Sequence, residues 1–195
     1  DHGGFEHNIQ GLRVVDILEK RYSQFSGLNL SWEVRESIAK HKMLSYDPNV
    51  TQFDLTKQPL LEAKIVDIAD SIAYDNHDID DSLKAGLITE SGLEKVELWR
   101  YAKEKVRERY NNISKEMENL HTIKYLIDLE VTDLIEHTQL MINKMKIKTT
   151  DDVQKSNEKR VSFSPEISKK KLELQEFLQQ NAYNHYRVVR MADKA

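Results

Sequence analysis

Residues 65–83 read IVDIADSIAYDNHDIDDSL and bring carboxylates, a tyrosine and a histidine into one short stretch. At roughly 100° per residue, Asp67, Asp70, Tyr74, His77, Asp78 and Asp81 fall within about a third of a helix circumference, while Ile65, Ile68, Ile72 and Ile79 point elsewhere. Oxygen-rich carboxylate clusters suit hard divalent cations, and carboxylate mixed with imidazole suits manganese, iron or zinc. Two readings of such a stripe stand side by side: a cation site, or a solvated face, which is the commoner fate of acidic stripes on amphipathic helices. The dipeptide His77-Asp78 does not decide between them, because such pairs meet by chance in many chains.

The elements that must position this stripe are helical. The chain has 195 residues, 39% of them hydrophobic and 32% charged, with only 6 glycines and 3 prolines. That balance fits a soluble, mostly helical domain with one sizeable core or two small ones, and no alternating β-branched stretch suggests a sheet. The expected fold class is all-α. Helical spacing of Ile9, Leu12, Val15 and Leu18 predicts a helix over 5–21, and Ser31 is placed to cap a second one reaching about Lys42. A connection containing Pro48 then leads to Pro59, which suits the first turn of the acid-striped helix, and Gly86 ends it.

Ser91-Gly92-Leu93-Glu94 matches a capping box and predicts a helix to about Tyr110. A long helix over 114–145 carries Ile123, Ile127, Leu134 and Ile142 as a core stripe. Residues 146–160 are polar and predict a loop, after which Ser164-Pro165-Glu166 starts a last helix to about Gln180, followed by an aromatic and basic tail, YNHYRVVRM. The expected organisation is a helical core over 1–145, with 146–195 forming a loop, helix and tail packed on the same domain.

Several function classes are excluded. The chain holds no GxxxxGK[ST], GxGxxG, HExxH or GxSxG pattern, so P-loop, dinucleotide, zinc-protease and hydrolase-elbow chemistry lack their signatures. With no cysteine there is no disulfide, thiolate ligand or nucleophilic thiol, which fits a cytoplasmic protein. A net charge of -4 gives no electrostatic support for a single-stranded nucleic acid partner. No apolar run approaches the ~18 residues of a bilayer span, so no membrane partner is expected. The opening Asp1-His2-Gly3-Gly4-Phe5 has neither an initiator methionine nor a secretory signal and reads as the middle of something, so residues upstream are expected.

Taken in order, Phe5-Glu6-His7-Asn8, Trp32-Glu33-Val34-Arg35, the 68–74 run with Asn76-His77-Asp78, Val131-Thr132-Asp133-Leu134-Ile135, Phe163-Ser164-Pro165-Glu166 and the closing 186–191 run resemble a dGTPase-like deoxynucleoside triphosphate triphosphohydrolase of the HD superfamily. The resemblance covers nearly the whole chain and implies a partial HD-domain-like helical bundle. It implies a divalent metal, magnesium, manganese or another transition metal, held by a histidine, an adjacent His-Asp pair and a later aspartate. Asp70 matches the last of these, and the others would lie upstream of Asp1. His77-Asp78 follows the final ligand, so it is not the family's pair.

By the same resemblance, Asp78 matches a position that contacts the 3′-hydroxyl of the sugar, and Tyr74 one that helps refuse a 2′-hydroxyl. Both lie on the Asp70 face, because i, i+4 and i+8 share one side of a helix. His7 resembles a catalytic-site histidine near the triphosphate. Arg13, Arg35 and Lys124 are candidates for the positive charge that a triphosphate requires. The implied activity is hydrolysis of deoxynucleoside triphosphates at the α-phosphorus to deoxynucleoside and tripolyphosphate, in a homo-oligomer with a nucleotide effector. A chain with one metal ligand is expected to be inactive alone. The alternative is a non-catalytic helical module for nucleotide binding or oligomerisation.

Overall fold

The computed structural model describes residues 6–41, 52–54, 56–155 and 160–192. Among them the fold is all-α, without a strand; the one β-type bridge joins Lys20 to Gly27. The predicted connection around Pro48 lies mostly outside the described residues, as do Phe5 and residues 156–159. The chain forms two compact units that interleave in sequence: residues 1–67 with 145–160, and residues 68–144 with 161–195.

In the first unit, α1 (His7–Arg13) runs into a π-helical turn, Val14–Leu18, so the predicted first helix stops short of Arg21. The chain turns back at Gly27, whose φ is +73° and whose backbone lies so close to Asp16 that an added Cβ would sit 2.3 Å from the Asp16 carbonyl oxygen. Only glycine fits that combination of a left-handed φ and a close approach. Ser31 precedes α2 (Trp32–Lys40) as expected, although its side chain makes no cap bond. Leu12, Ala39 and Phe53 form a small core, with Ile9 and Ile38 packed against it. Residues 146–160 are not simply a loop: α7 (Thr150–Lys155) forms there. Asp152 donates its backbone N–H to the Thr149 hydroxyl at 3.2 Å, and its carboxylate accepts from the Thr149 N–H at 2.9 Å, a reciprocal cap of the kind that Thr149-Thr150-Asp151-Asp152 can build.

The acid-striped helix is α3 (Leu61–Lys84), continuous across the division at Asp67. It starts two residues after Pro59 and stops as predicted at Gly86, φ +63°, where the Leu87 N–H donates to Ser82 O at 2.9 Å and the Gly86 N–H to Leu83 O at 3.1 Å, the paired bonds of a glycine C-terminal cap. The predicted capping box at Ser91 is corrected. Thr89 caps a short α4 (Glu90–Leu93) by accepting from Gly92 N–H, and the longer α5 (Glu97–Arg109) begins only after Val96. Leu93 and Val96 are both buried, so core packing breaks the run that local signals would have made continuous.

The second unit is completed by α6 (Lys115–Met145), α8 (Pro165–Leu178), a π-helical turn Gln179–Tyr183 and α9 (Tyr186–Ala192). Ser164 caps α8 by accepting from Ile167 N–H, with Pro165 in the first turn. Its core is built from Ile79, Leu93, Leu98, Trp99, Leu126, Leu174 and Leu178, all sealed from solvent. At about 1.5–3 kcal/mol for each fully buried large side chain, burial of Ile79 in this seam helps to dock α3.

Candidate functional site

In the second unit, α3 presents two faces of opposite character. Ile72 and Ile79 lie on the core side with Asp75, Asn76 and Ser82, all buried. Asp70, Tyr74 and His77 are exposed on the other side, and Asp78 is half-buried at its margin. The 3.6-residue period therefore puts Asp70, Tyr74 and Asp78 on consecutive turns of one accessible face, as their spacing predicts.

Asp78 has a partner that the sequence reading missed. The Tyr183 hydroxyl, from the π-helical turn after α8, donates a short hydrogen bond to Asp78 Oδ2. The Tyr183 ring also stands 6.1 Å, centroid to centroid, from Tyr74. Burial pushes the Tyr183 phenol well above its ordinary range, and the bond to Asp78 pushes the same way. Tyr183 thus stays a neutral donor that fixes one carboxylate oxygen of Asp78. Two tyrosine rings and a carboxylate together make a surface suited to a sugar: flat apolar area beside a strong hydroxyl acceptor.

His7 belongs to the first unit, where it is exposed at the start of α1. Its ring meets His41 edge-on at 6.0 Å. His41 Nδ1 lies 2.5 Å from Asp67 Oδ1, while Lys64 donates to the other Asp67 oxygen at 3.1 Å. The neighbouring Asn8 is buried and donates to the His41 carbonyl at 2.5 Å, so α1 and the end of α2 are tied beside His7. Of the candidate triphosphate cations, Arg35 is committed to Asp16 by a two-pronged pair at 2.8 and 2.7 Å. Arg13 and Lys124 are exposed.

The fit to a metal is incomplete. Among the described residues there is no group of three or more histidine, aspartate or glutamate side chains placed to hold an ion. Asp70 alone supplies one oxygen-bearing ligand, and transition-metal and magnesium sites need several. The residues at hand therefore do not make a metal centre by themselves.

Fold and site together define an all-α protein that carries two neighbouring tyrosine rings and a carboxylate on one accessible helix face. No family model matches the chain. Over 196 residues it is 46% identical to the deoxyguanosinetriphosphate triphosphohydrolase-like protein of Geobacter metallireducens, covering 99% of this chain and 51% of the relative. The proteins of the same name from Geobacter sulfurreducens and Thiobacillus denitrificans are 44% and 41% identical, over 99% and 100% of this chain and 51% and 53% of their own length. The chain spans about half the length of the curated relatives it matches, the likeness fits a dGTPase-like portion, and the all-α fold is consistent with an HD-type bundle.

Proposed function

We propose that this chain carries the sugar-reading part of a deoxynucleoside triphosphate triphosphohydrolase. Asp78 Oδ1 accepts the 3′-hydroxyl of the substrate while Oδ2 is held by Tyr183. Tyr74 packs its ring against the 2′ carbon, where an added hydroxyl of a ribonucleotide would collide with it or lose its hydration. Asp70, one turn before Tyr74, faces the phosphate end. In the reaction, water adds to the α-phosphorus, the bond to the 5′-oxygen breaks, and a proton goes to that oxygen, leaving deoxynucleoside and tripolyphosphate. A divalent ion in such a site would polarise the phosphate oxygens and lower the pKa of water. Among the described residues no group of three histidine, aspartate or glutamate side chains is placed to complete the site.

The observation that carries this reading is the joining of Asp78 and Tyr74 around Tyr183 on the Asp70 face, in a chain whose relatives bear a triphosphohydrolase-like name. Its test is product analysis with the four deoxynucleoside triphosphates in manganese or magnesium. The polypeptide assayed joins this chain to the remaining length found in its relatives. The expected result is tripolyphosphate release that Asp70→Ala abolishes, with residues 1–195 alone inactive. No release by the longer polypeptide, or robust release by residues 1–195 alone, would overturn the proposal.

A second reading is a non-catalytic helical module that binds nucleotides or assembles subunits. Saturable nucleotide binding by the longer polypeptide without turnover would support it.

A further inference from the structure

Behind the candidate face lies a sealed polar network that no step of the proposed chemistry uses. Lys171 on α8 is 5% exposed and donates to Asp75 Oδ2 at 2.6 Å and to Glu130 Oε1 at 3.0 Å. Glu130 on α6 is fully buried, and its second oxygen accepts from Asn76 Nδ2 at 2.8 Å. Gln175, one turn beyond Lys171, donates to Asp75 Oδ2 at 2.8 Å and to Ser71 Oγ at 3.3 Å. Asn76 also donates to the Ile72 carbonyl at 2.9 Å, and its own side-chain oxygen is buried without a hydrogen-bond partner.

The geometry points to Lys171, Glu130, Gln175, Asp75 and Asn76 as positioning residues that set the rotation of α3, and through it the placement of Asp70, Tyr74 and Asp78. Apolar contact is non-directional, so the buried side of α3 that carries Ile72 and Ile79 would by itself tolerate a turn of the helix about its axis. Asp75 and Asn76 are adjacent in sequence and so stand roughly 100° apart, one on each flank of that side. Each is held by bonds of 2.6–2.8 Å to a different helix, Asp75 to α8 and Asn76 to α6. A turn in either direction stretches one set of bonds. Leaving a buried charge or amide unpaired is costly, so the network resists rotation where packing does not. The Tyr183 bond to Asp78 depends on the same setting, because Tyr183 follows α8 in the chain.

This inference rests on the sugar-reading proposal for its consequence, but not for its geometry, and two measurements separate them. The first uses residues 1–195 and reads the nuclear Overhauser contact between the Tyr74 and Tyr183 rings. Lys171→Met and the milder, charge-neutral Gln175→Met should weaken that contact in the folded population. The second uses the longer polypeptide and reads kcat/KM for a deoxynucleoside triphosphate against its ribonucleotide. Misplacement by about 1 Å can cost on the order of 100-fold, so the deoxy rate should fall by up to that factor and the preference for the deoxy sugar should shrink, with Lys171→Arg recovering part of both.

Variants that melt earlier yet keep the ring contact would show a purely structural network and overturn the inference. So would an unchanged sugar preference beside active wild type. Should Lys171→Met fail to fold, Gln175→Met decides alone. If wild type hydrolyses nothing, the ring contact still decides positioning while the nucleotide proposal falls.

Discussion

Two buried lysines in the second unit have similar company and different surroundings. Lys171, between α3, α6 and α8, faces carboxylates whose side chains are 7% and 0% exposed. Lys103 on α5 is as deeply placed, at 3%, but its partners Glu90, Glu94 and Glu118 reach it at 3.7, 3.2 and 3.5 Å with side chains 27%, 49% and 15% exposed. Glu118 is shared with Arg107 at 2.6 Å, and Lys115 reaches Glu90 at 4.0 Å. The Lys103 cluster borders water, which can replace a lost partner. The Lys171 cluster cannot be rescued that way, so its bonds are an all-or-none constraint on the helix that carries the candidate site.

The contrast fixes an order of effects. Lys171→Met leaves Asp75 and Glu130 buried without their cation and should cost about 3–5 kcal/mol in denaturant unfolding. Lys103→Met should cost only about 1–2 kcal/mol, because its partners can turn to solvent and exposed pairs contribute little. Equal costs would erase the distinction. Added salt sharpens it: raising salt to ~1 M should reduce the Lys103→Met effect and leave the Lys171→Met effect nearly unchanged, since sealed pairs are screened much less.

Two glutamates carry the same contrast into pH. The Arg107 guanidinium, and secondarily Lys103, hold the Glu118 carboxyl below its ordinary range, so its stabilisation is present above the unfolded pKa of ~4.3 and is lost as pH falls through the lower folded value. Burial pushes the Glu130 carboxyl up despite Lys171, so its cost appears as pH rises through ~4.3 toward the higher folded value and is relieved on acidification. Stability measured against pH should therefore show a shallower acid loss in Glu118→Gln and a steeper one in Glu130→Gln than in wild type. The same slope change in both variants would contradict the assignment.

The sequence made the lengthwise pattern of α3 readable, because periodicity and a glycine stop are local. Ser164-Pro165 announced α8 for the same reason. Ser91-Gly92-Leu93-Glu94 misled because the burial of Leu93 and Val96 overrode a local cap, and α7 was missed although Thr149 and Asp152 stand at cap spacing. The bond from Tyr183 to Asp78 spans 105 residues and leaves no local trace. Glu130 and Lys171 did leave one. Glu130 falls in phase with Ile123, Ile127 and Leu134, and Lys171 with Ile167, Leu174 and Leu178, so each is a charge set within an apolar stripe. Two such charges of opposite sign are a signal that buried helices pair there.

The most direct measurement is the sugar preference of the longer polypeptide, taken as the ratio of kcat/KM for each deoxynucleoside triphosphate over its ribonucleotide, in wild type, Tyr74→Ala and Asp78→Asn. A face that reads deoxyribose predicts a large ratio in wild type, erosion toward one in Tyr74→Ala, and a loss of deoxy turnover on the order of 100-fold in Asp78→Asn as the 3′-hydroxyl loses its charged acceptor. Ratios and rates unchanged in both variants would contradict the assignment of this helix face to substrate.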